Sequence, residues 1–398
     1  MSNLLFYSNA PWCPSGYGQQ TAVWARRFQS LGHNVAVANF HGLHGAPIGW
    51  DGVTVFPAST EDAWAQDTLP GYYAHHEADL LITLMDCWVL NPAGFAGMNV
   101  AHWLPLDAAA SATAISPHVG SMDRRVLDEG GGRPIAMSLF GHQLLVDAGF
   151  PALYAPHGID VQVYKPLEDR EALRDKLGLK GHFVIGINAA NQDPVRKGFP
   201  EQFEAFARFR EKHPEALLGV HTRVQTRQGV DLIRLAADLD IRDSVVFADQ
   251  FAVASGMMGG QDLAKWYGVC DVLSNASYGE GFGLPIIEAQ ACGTPVVTTA
   301  FSSMIELTGA GWCVAGERYW NRGHNAWWMR PSVTAITAAY EAAFEEAASM
   351  REDARTFALR YDADRVLTEH WKPVLAELLG EDDGPAGGVV PAEAVAGP

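Results

Sequence analysis

The sequence predicts an α/β protein of two Rossmann-like domains facing across a cleft, each a parallel sheet with helices on both faces. Three observations lead there. Strand-like and helix-like segments alternate through both halves of the chain, the pattern of parallel strands joined by helical crossovers. At 398 residues the chain is too long for one ordinary core and suits two of similar size. An apolar content of 48% is enough to supply well-buried sheets.

In the first half, Leu4–Ser8, Asn34–Asn39, Val53–Phe56, Asp79–Leu84, Asn99–Trp103, Pro134–Ser138 and Leu153–Ala155 read as short buried strands. Helical spacing lies between them at Gln19–Leu31 and Pro117–Glu129. The second half repeats the alternation: strand His182–Asn188, helix Phe199–Lys212, strand Leu217–His221, helix Val230–Leu239 and strand Ser244–Phe247. Helix Asp262–Gly268 and strand Asp271–Ser274 follow, and helices at Val333–Ala347 and Ala363–Leu379 close the pattern. The turn His157-Gly158-Ile159-Asp160 and the charged run Glu168–Lys176 mark the handover between halves. The expected division is therefore 1–160, 161–350, C-terminal helices over 351–380, and a tail over 381–398. That tail is Gly, Pro, Ala and acid without periodicity, and is expected to be disordered. No internal repeat is visible.

The formal net charge of −18 argues against a broad, sequence-blind hold on nucleic acid. No stretch approaches the ~20 uncharged apolar residues of a membrane span. The first residues lack the pattern of a signal peptide. Five scattered cysteines without C-x-x-C spacing read as reduced thiols, so a cytoplasmic enzyme is expected.

The most informative segment runs from Glu280 to Glu288. Two glutamates eight positions apart enclose Gly281, Phe282, Gly283, Leu284 and Pro285, with Gly293-Thr294-Pro295 behind. It reads as strand, glycine loop, helix, tight turn, strand, with Pro285 in the first helical turn and Gly293 at its stop. The helix N-terminus then faces the loop with unpaired N–H groups and the positive end of its dipole, a seat for a diphosphate. Carboxylates beside a diphosphate would repel it, so Glu280 and Glu288 suit sugar hydroxyls.

This arrangement resembles the E-x7-E motif of family-4 glycosyltransferases, retaining enzymes of the GT-B fold. Ser277 to Val297 also resembles the family in its G-F-G-L-P and E-A-x-A-x-G-T-P-V elements. The resemblance implies a soluble GT-B glycosyltransferase that moves a sugar from a nucleoside-diphosphate sugar to an acceptor hydroxyl with retained configuration. A UDP-sugar is the favoured donor, and the acceptor is left open among saccharide, protein, small molecule and modified DNA. Glu280 would hold sugar hydroxyls and Glu288 the ribose. Arg196-Lys197-Gly198 resembles the family's K-G element, whose lysine contacts the diphosphate. Family members often carry an arginine one loop earlier, where this chain has Asn188, Asn191 and Gln192, so Arg196 is the candidate substitute. The last helix of the fold often crosses back onto the first domain, a role for Ala363–Leu379.

Ser15-Gly16-Tyr17-Gly18 follows the first strand and opens the first helix. Thr21 stands where a dinucleotide fingerprint needs its third glycine, so NAD binding is a weak reading. The family uses such a loop near donor phosphates or acceptor, which makes Gly16 and Gly18 donor candidates and Tyr17 an acceptor candidate. His102 resembles the histidine that many members project near the donor sugar, and Asp107 is a polar competitor on the same loop. Asp238-Leu239-Asp240 matches D-x-D only formally, ending a helix with its acids toward solvent. Elsewhere metal-ligand spacing is lacking, so neither metal nor cofactor is expected. In Gly311–Pro331, tryptophans and tyrosines alternate with arginines, and Trp320 and Arg322 are candidates for specificity. Three alternatives stay open: a phage-type enzyme acting on hydroxymethylated pyrimidines in DNA, a nucleotide-sugar 2-epimerase on the same fold, and a non-catalytic sugar-nucleotide sensor, which the intact glutamates and lysine disfavour.

Overall fold

The computed structural model describes residues 1–109, 118–120 and 122–380. The expected tail, 381–398, lies outside them, as do Pro117 and Ser121 of one expected helix. The described chain forms two compact units, one of Met1–Gly158, Asn321–Trp327 and Ala363 onward, the other of Ile159–Trp320 and Trp328–Asp362. The division falls two residues before the sequence boundary at 160. Segment 321–327, assigned by sequence to the second domain, groups with the first.

The first unit is built on strands β1 (Asn3–Asn9), β2 (Asn34–His41), β3 (Ile48–Trp50), β4 (Val53–Phe56), β5 (Leu80–Leu84), β6 (Val100–Leu104), β7 (His118–Val119), β8 (Met122–Asp123), β9 (Arg133–Ala136) and β10 (Leu153–Tyr154). Eight of them form one sheet in the order β10-β9-β6-β5-β1-β2-β4-β3. All pairs are parallel except the edge pair β3–β4. Residues Leu4 to Tyr7 and Leu80 to Leu84 are fully buried, as expected of central parallel strands covered on both faces. Helix Gly16–Ser30 follows β1 through the turn over 10–15. The segment from Ala363 to Leu379 packs on this unit. It is α-helical except for a π-helical stretch at Leu367–Trp371, and Trp371 meets Trp24, Phe28 and Trp103 at ring-centroid distances of 5.5, 5.0 and 4.8 Å.

The second unit carries β11 (Val184–Asn188), β12 (Leu217–His221), β13 (Val245–Phe247), β14 (Val272–Asn275), β15 (Val296–Thr299), β16 (Gly311–Val314), β17 (Gly316–Asn321) and β18 (Ala326–Pro331). Six form a fully parallel sheet, β13-β12-β11-β14-β15-β16. Its core joins Phe199, Phe203, Phe206 and Phe209 of helix Phe199–Arg210 to Ile336 and Tyr340 of helix Val333–Glu346. Parallel order places the loops after β11, β12 and β14 on one edge, the edge where open α/β sheets bind ligands.

One expectation is corrected. Among the described residues of 117–129 no long helix forms: β7 and β8 pair antiparallel, the Asp123 carboxylate accepts from Arg125 N at 3.0 Å, and the one helical turn is Arg125–Asp128. Val119, Met122 and Val126, whose spacing suggested a helix, reach the core all the same. The aromatic segment 311–331 is an edge strand followed by the two-stranded β17–β18 pair. Trp328 is buried inside it and Trp320 half-exposed.

Candidate functional site

The loop between β14 and helix Leu284–Ala291 is held from below by serines. Ser302 Oγ accepts from Glu280 N at 3.0 Å, and Ser303 Oγ donates to the Glu280 and Phe282 carbonyls. Gly283 caps the helix at φ +113, a conformation that favours glycine, and Leu284 and Pro285 form its first turn. This segment thus has the strand–loop–helix form read from Gly281 to Gly293, and Phe282 and Leu284 are buried in it.

Glu280 is the centre of the cluster. It is buried, with Lys197 Nζ 2.5 Å from Oε1, Arg196 Nη1 3.3 Å from Oε2 and Ser277 Oγ donating to Oε1 at 2.7 Å. Burial pushes its carboxyl pKa up, but the Lys197 and Arg196 charges and these hydrogen bonds outweigh burial and hold it down at about 2. Arg196, Lys197 and Glu280 therefore meet although 83 residues separate the lysine from the glutamate. The loop carrying the cations is fixed locally. Asp193 Oδ1 accepts from Val195 N and Arg196 N, and Tyr278 N donates to the Arg196 carbonyl at 2.8 Å. Gly198 opens helix Phe199–Arg210 so close to β14 that a Cβ there would lie 2.4 Å from the Ala276 oxygen. Gln202, fully buried, ties the two loops by donating to the Lys197 carbonyl and accepting from Ser274 and Ala276.

Glu288 sits one turn inside its helix, almost fully buried. Tyr267 Oη donates to Glu288 Oε2 at 2.7 Å, Asn188 Nδ2 donates to Tyr267 Oη at 2.5 Å, and His221 Nδ1 lies 2.9 Å from Asn188 Oδ1. This chain runs from the ends of β11 and β12 to the helix, and the sequence did not point to Tyr267 or His221. The strand-end positions of Asn188 and His221 were the available signal. Asn191, considered beside the missing arginine, is instead a loop brace, bonded to Arg223 and Val230.

In the first unit, Ser15 caps helix Gly16–Ser30 and accepts from Gly18 N at 3.1 Å. A Cβ on Gly18 would lie 2.5 Å from the Cys13 oxygen. Tyr17 Oη donates to Asp86 Oδ1 at 2.7 Å, which brings in a residue not read from sequence. Asp107 lies at the end of the described part of its loop, where Ala109 pairs with Trp327 beyond the exposed Arg322.

His102 corrects the sequence reading. It lies inside β6, fully buried, with Nδ1 3.0 Å from Thr83 Oγ1 and its ring edge-to-face with Phe95 at 4.9 Å. It is a core residue, and burial depresses its pKa to about 4. A histidine whose folded pKa is lowered binds protons more readily when unfolded, so its contribution is lost as pH falls from 6.5 toward 4. The loss is on the order of 3 kcal/mol. We expect His102→Gln to flatten that acid limb in urea titrations at successive pH values, and an unchanged limb would refute the assignment.

Among the described residues, no group of three or more His, Cys, Asp or Glu is placed to hold a metal ion, and no helix is long and apolar enough to cross a membrane. Asp238 ends its helix and Asp240 follows at φ +56.

Residues 184–320 match the family model described as "Glycosyl transferases group 1". The chain is 35% identical over 164 residues to a D-inositol 3-phosphate glycosyltransferase of Stackebrandtia nassauensis, covering 39% of this chain and 35% of that protein. A protein of the same name from Salinispora arenicola is 38% identical over 160 residues, covering 37% and 34%. The match thus spans about a third of the length of these curated relatives. Among solved structures, sucrose-phosphate synthase from Thermosynechococcus elongatus superposes with a TM-score of 0.72 at 17% identity, over 96% of this chain and 100% of that one. Anabaena HepE in complex with UDP-glucose does so at 0.69 and 19% identity, over 96% and 100%. The glycine loop, both glutamates, Arg196 and Lys197 all fall inside residues 184–320, the stretch that matches the group 1 glycosyl transferase model, in a chain with the GT-B fold.

Proposed function

We propose that the protein is a retaining glycosyltransferase that moves a sugar from a nucleoside-diphosphate sugar, a UDP-sugar first, to an acceptor hydroxyl. The observation that carries this reading is the pair of cations, Lys197 and Arg196, held by Glu280 beside the N-terminus of helix Leu284–Ala291. A helix N-terminus and two fixed cations form an environment for a departing diphosphate. In this reading Lys197 and Arg196 stabilise charge that develops on the diphosphate, while Glu280 orients Lys197 and accepts from sugar hydroxyls. Glu288, aligned by Tyr267, accepts from the ribose. The acceptor attacks from the leaving-group face, and the diphosphate helps to take its proton.

The two side-chain cations supply the positive charge that a divalent ion supplies in other transferases, so turnover needs no metal. We expect EDTA-treated protein to retain full activity, and a requirement for added magnesium or manganese would overturn that part. The protein would work in the cytoplasm, where its thiols stay reduced. A DNA acceptor is disfavoured, because residues 1–158 hold twelve Asp and Glu against five arginines and no lysine.

The first experiment is thermal stabilisation by UDP, GDP, ADP and their sugars. Ligand at about 100 times Kd should stabilise the fold by about 2.7 kcal/mol. One nucleotide family should shift the transition, and Glu288→Ala should abolish the shift and raise the donor KM. Absence of a shift with every nucleotide would sink the reading.

A further inference from the structure

A second cluster lies in the first unit, beside the Ser15–Gly18 turn. Strands β1, β2, β4 and β5 run parallel, so the segments leaving their carboxyl ends share one edge of the sheet. Trp12 follows β1, Trp64 follows β4, and Asp86 and Trp88 follow β5. Trp64 and Trp88 meet edge-to-face at 5.5 Å, and Phe40 of β2 supports Trp64 at 5.7 Å. Trp88 is 55% exposed and Trp12 39%, large apolar faces for a surface at a strand-end crevice. Polar groups accompany them. Asp86 is bonded to Tyr17, and the Asn9 Nδ2 at the end of β1 donates to Ser15 Oγ at 2.7 Å. The Asn9 Oδ1 atom is buried without a hydrogen-bond partner among the described residues, and a buried acceptor of this kind calls for a donor.

Charge decides which ligand fits. Each of the five arginines in residues 1–158 is ion-paired: Arg26 with Asp51, Arg27 with Asp364, Arg124 with Asp128, Arg125 with Asp123 and Arg133 with Glu377. Arg27 lies in the last turn of helix Gly16–Ser30 and Arg133 opens β9, both at the opposite edge from Trp88. Arg322, on the segment grouped with this unit, is the nearest exception in sequence context, through the Ala109–Trp327 pairing.

We infer that this edge is a binding site for a neutral saccharide, which serves as acceptor if the transferase reading holds. The indole faces of Trp88 and Trp12 suit the apolar C–H face of a pyranose, while Asp86 and Asn9 accept from its hydroxyls. A phosphorylated sugar or cyclitol would meet the Asp86 carboxylate with no unpaired arginine of residues 1–158 to offset it. The acceptor class therefore differs from the inositol phosphate in the names of the curated relatives.

Saturation-transfer NMR titrations of the full chain without donor test this directly. The probes are methyl α-glucoside, methyl α-mannoside, methyl β-galactoside and maltose, beside glucose 6-phosphate and inositol 3-phosphate. At least one neutral sugar should bind ten-fold or more tightly than either phosphate. Trp88→Ala should weaken it at least ten-fold and Asp86→Asn several-fold, while Trp88→Phe keeps most of the binding. Tighter binding of a phosphate, no binding of any neutral sugar, or wild-type binding by Trp88→Ala would each overturn the inference. The nucleotide shift is read separately. If it is absent while Trp88→Ala still loses sugar binding, the saccharide site stands and the transferase reading falls. If nucleotides bind and every sugar result is negative, the reverse holds.

Discussion

Replacing Glu280 with alanine should destabilise the C-terminal unit by about 3 kcal/mol, at the low end for breaking a buried ion pair from one side. The reason is what the substitution leaves behind. Lys197 is 12% exposed and would remain charged with no carboxylate beside it, and Ser277 would lose its acceptor. Arg196 is more exposed and can turn to water, which keeps the loss toward the lower end. For a domain of this size about 3 kcal/mol corresponds to roughly 6–12 °C in Tm, easily read by calorimetry. A diphosphate would restore the missing negative charge. UDP should therefore stabilise Glu280→Ala by more than it stabilises the wild type, although sugar transfer is lost. The pH dependence gives a second check. The folded pKa of Glu280 is depressed from 4.5 to about 2, so its contribution is complete above pH 4.5 and disappears as pH falls through 2. The stability gap between wild type and variant should close over that interval. A constant gap, or a loss below about 1 kcal/mol, the size of an exposed pair, would show that the cluster is not a buried ion pair.

Lys197→Ala should lower kcat by about 10²–10³, the usual effect of removing one fixed donor to a developing negative charge. Its ammonium is held by Glu280 rather than left to sample solvent, so in the proposed reading little reorganisation would accompany charge development on the diphosphate. Donor KM should change less, because in the proposed reading the helix N-terminus and Arg196 would still hold the ground-state diphosphate. Single-turnover kinetics at saturating donor separate the two. A pure KM effect would make Lys197 a binding residue, and unchanged kinetics would remove it from the site. Lys197→Arg distinguishes position from charge: the longer guanidinium keeps the charge but not the single Nζ contact.

Most of the fold was legible because parallel α/β structure writes itself locally. Buried strands such as Leu4–Ser8 and Leu80–Leu84 are apolar runs, and the turn at Gly293-Thr294-Pro295 marks a helix stop by residue chemistry alone. What misled was equally local. Val119, Met122 and Val126 have helical spacing, yet β7 and β8 pair antiparallel there and the helix is a single turn, Arg125–Asp128. His102 lies in an apolar strand and resembled a site residue, but only the neighbouring elements show that its ring is enclosed between Thr83 and Phe95. Tyr267 and Gln202 carried no sequence signal because their roles depend on partners 21 and 72 residues away.

The sequence by itself determined the alternating α/β architecture, the glycine loop that opens helix Leu284–Ala291, and the residue types able to hold a diphosphate and a sugar. These follow from periodicity, backbone preference and side-chain chemistry, which act over a few residues. Only the tertiary structure decided that Glu280 is locked by Lys197 and Arg196, that Glu288 is aligned through Tyr267 and Asn188, and that Trp64, Asp86 and Trp88 join Tyr17 at one sheet edge. Those pairings depend on strand order, which brings residues far apart in the chain to a common edge. Burial then sets their charge states, and no local pattern encodes burial of a polar group.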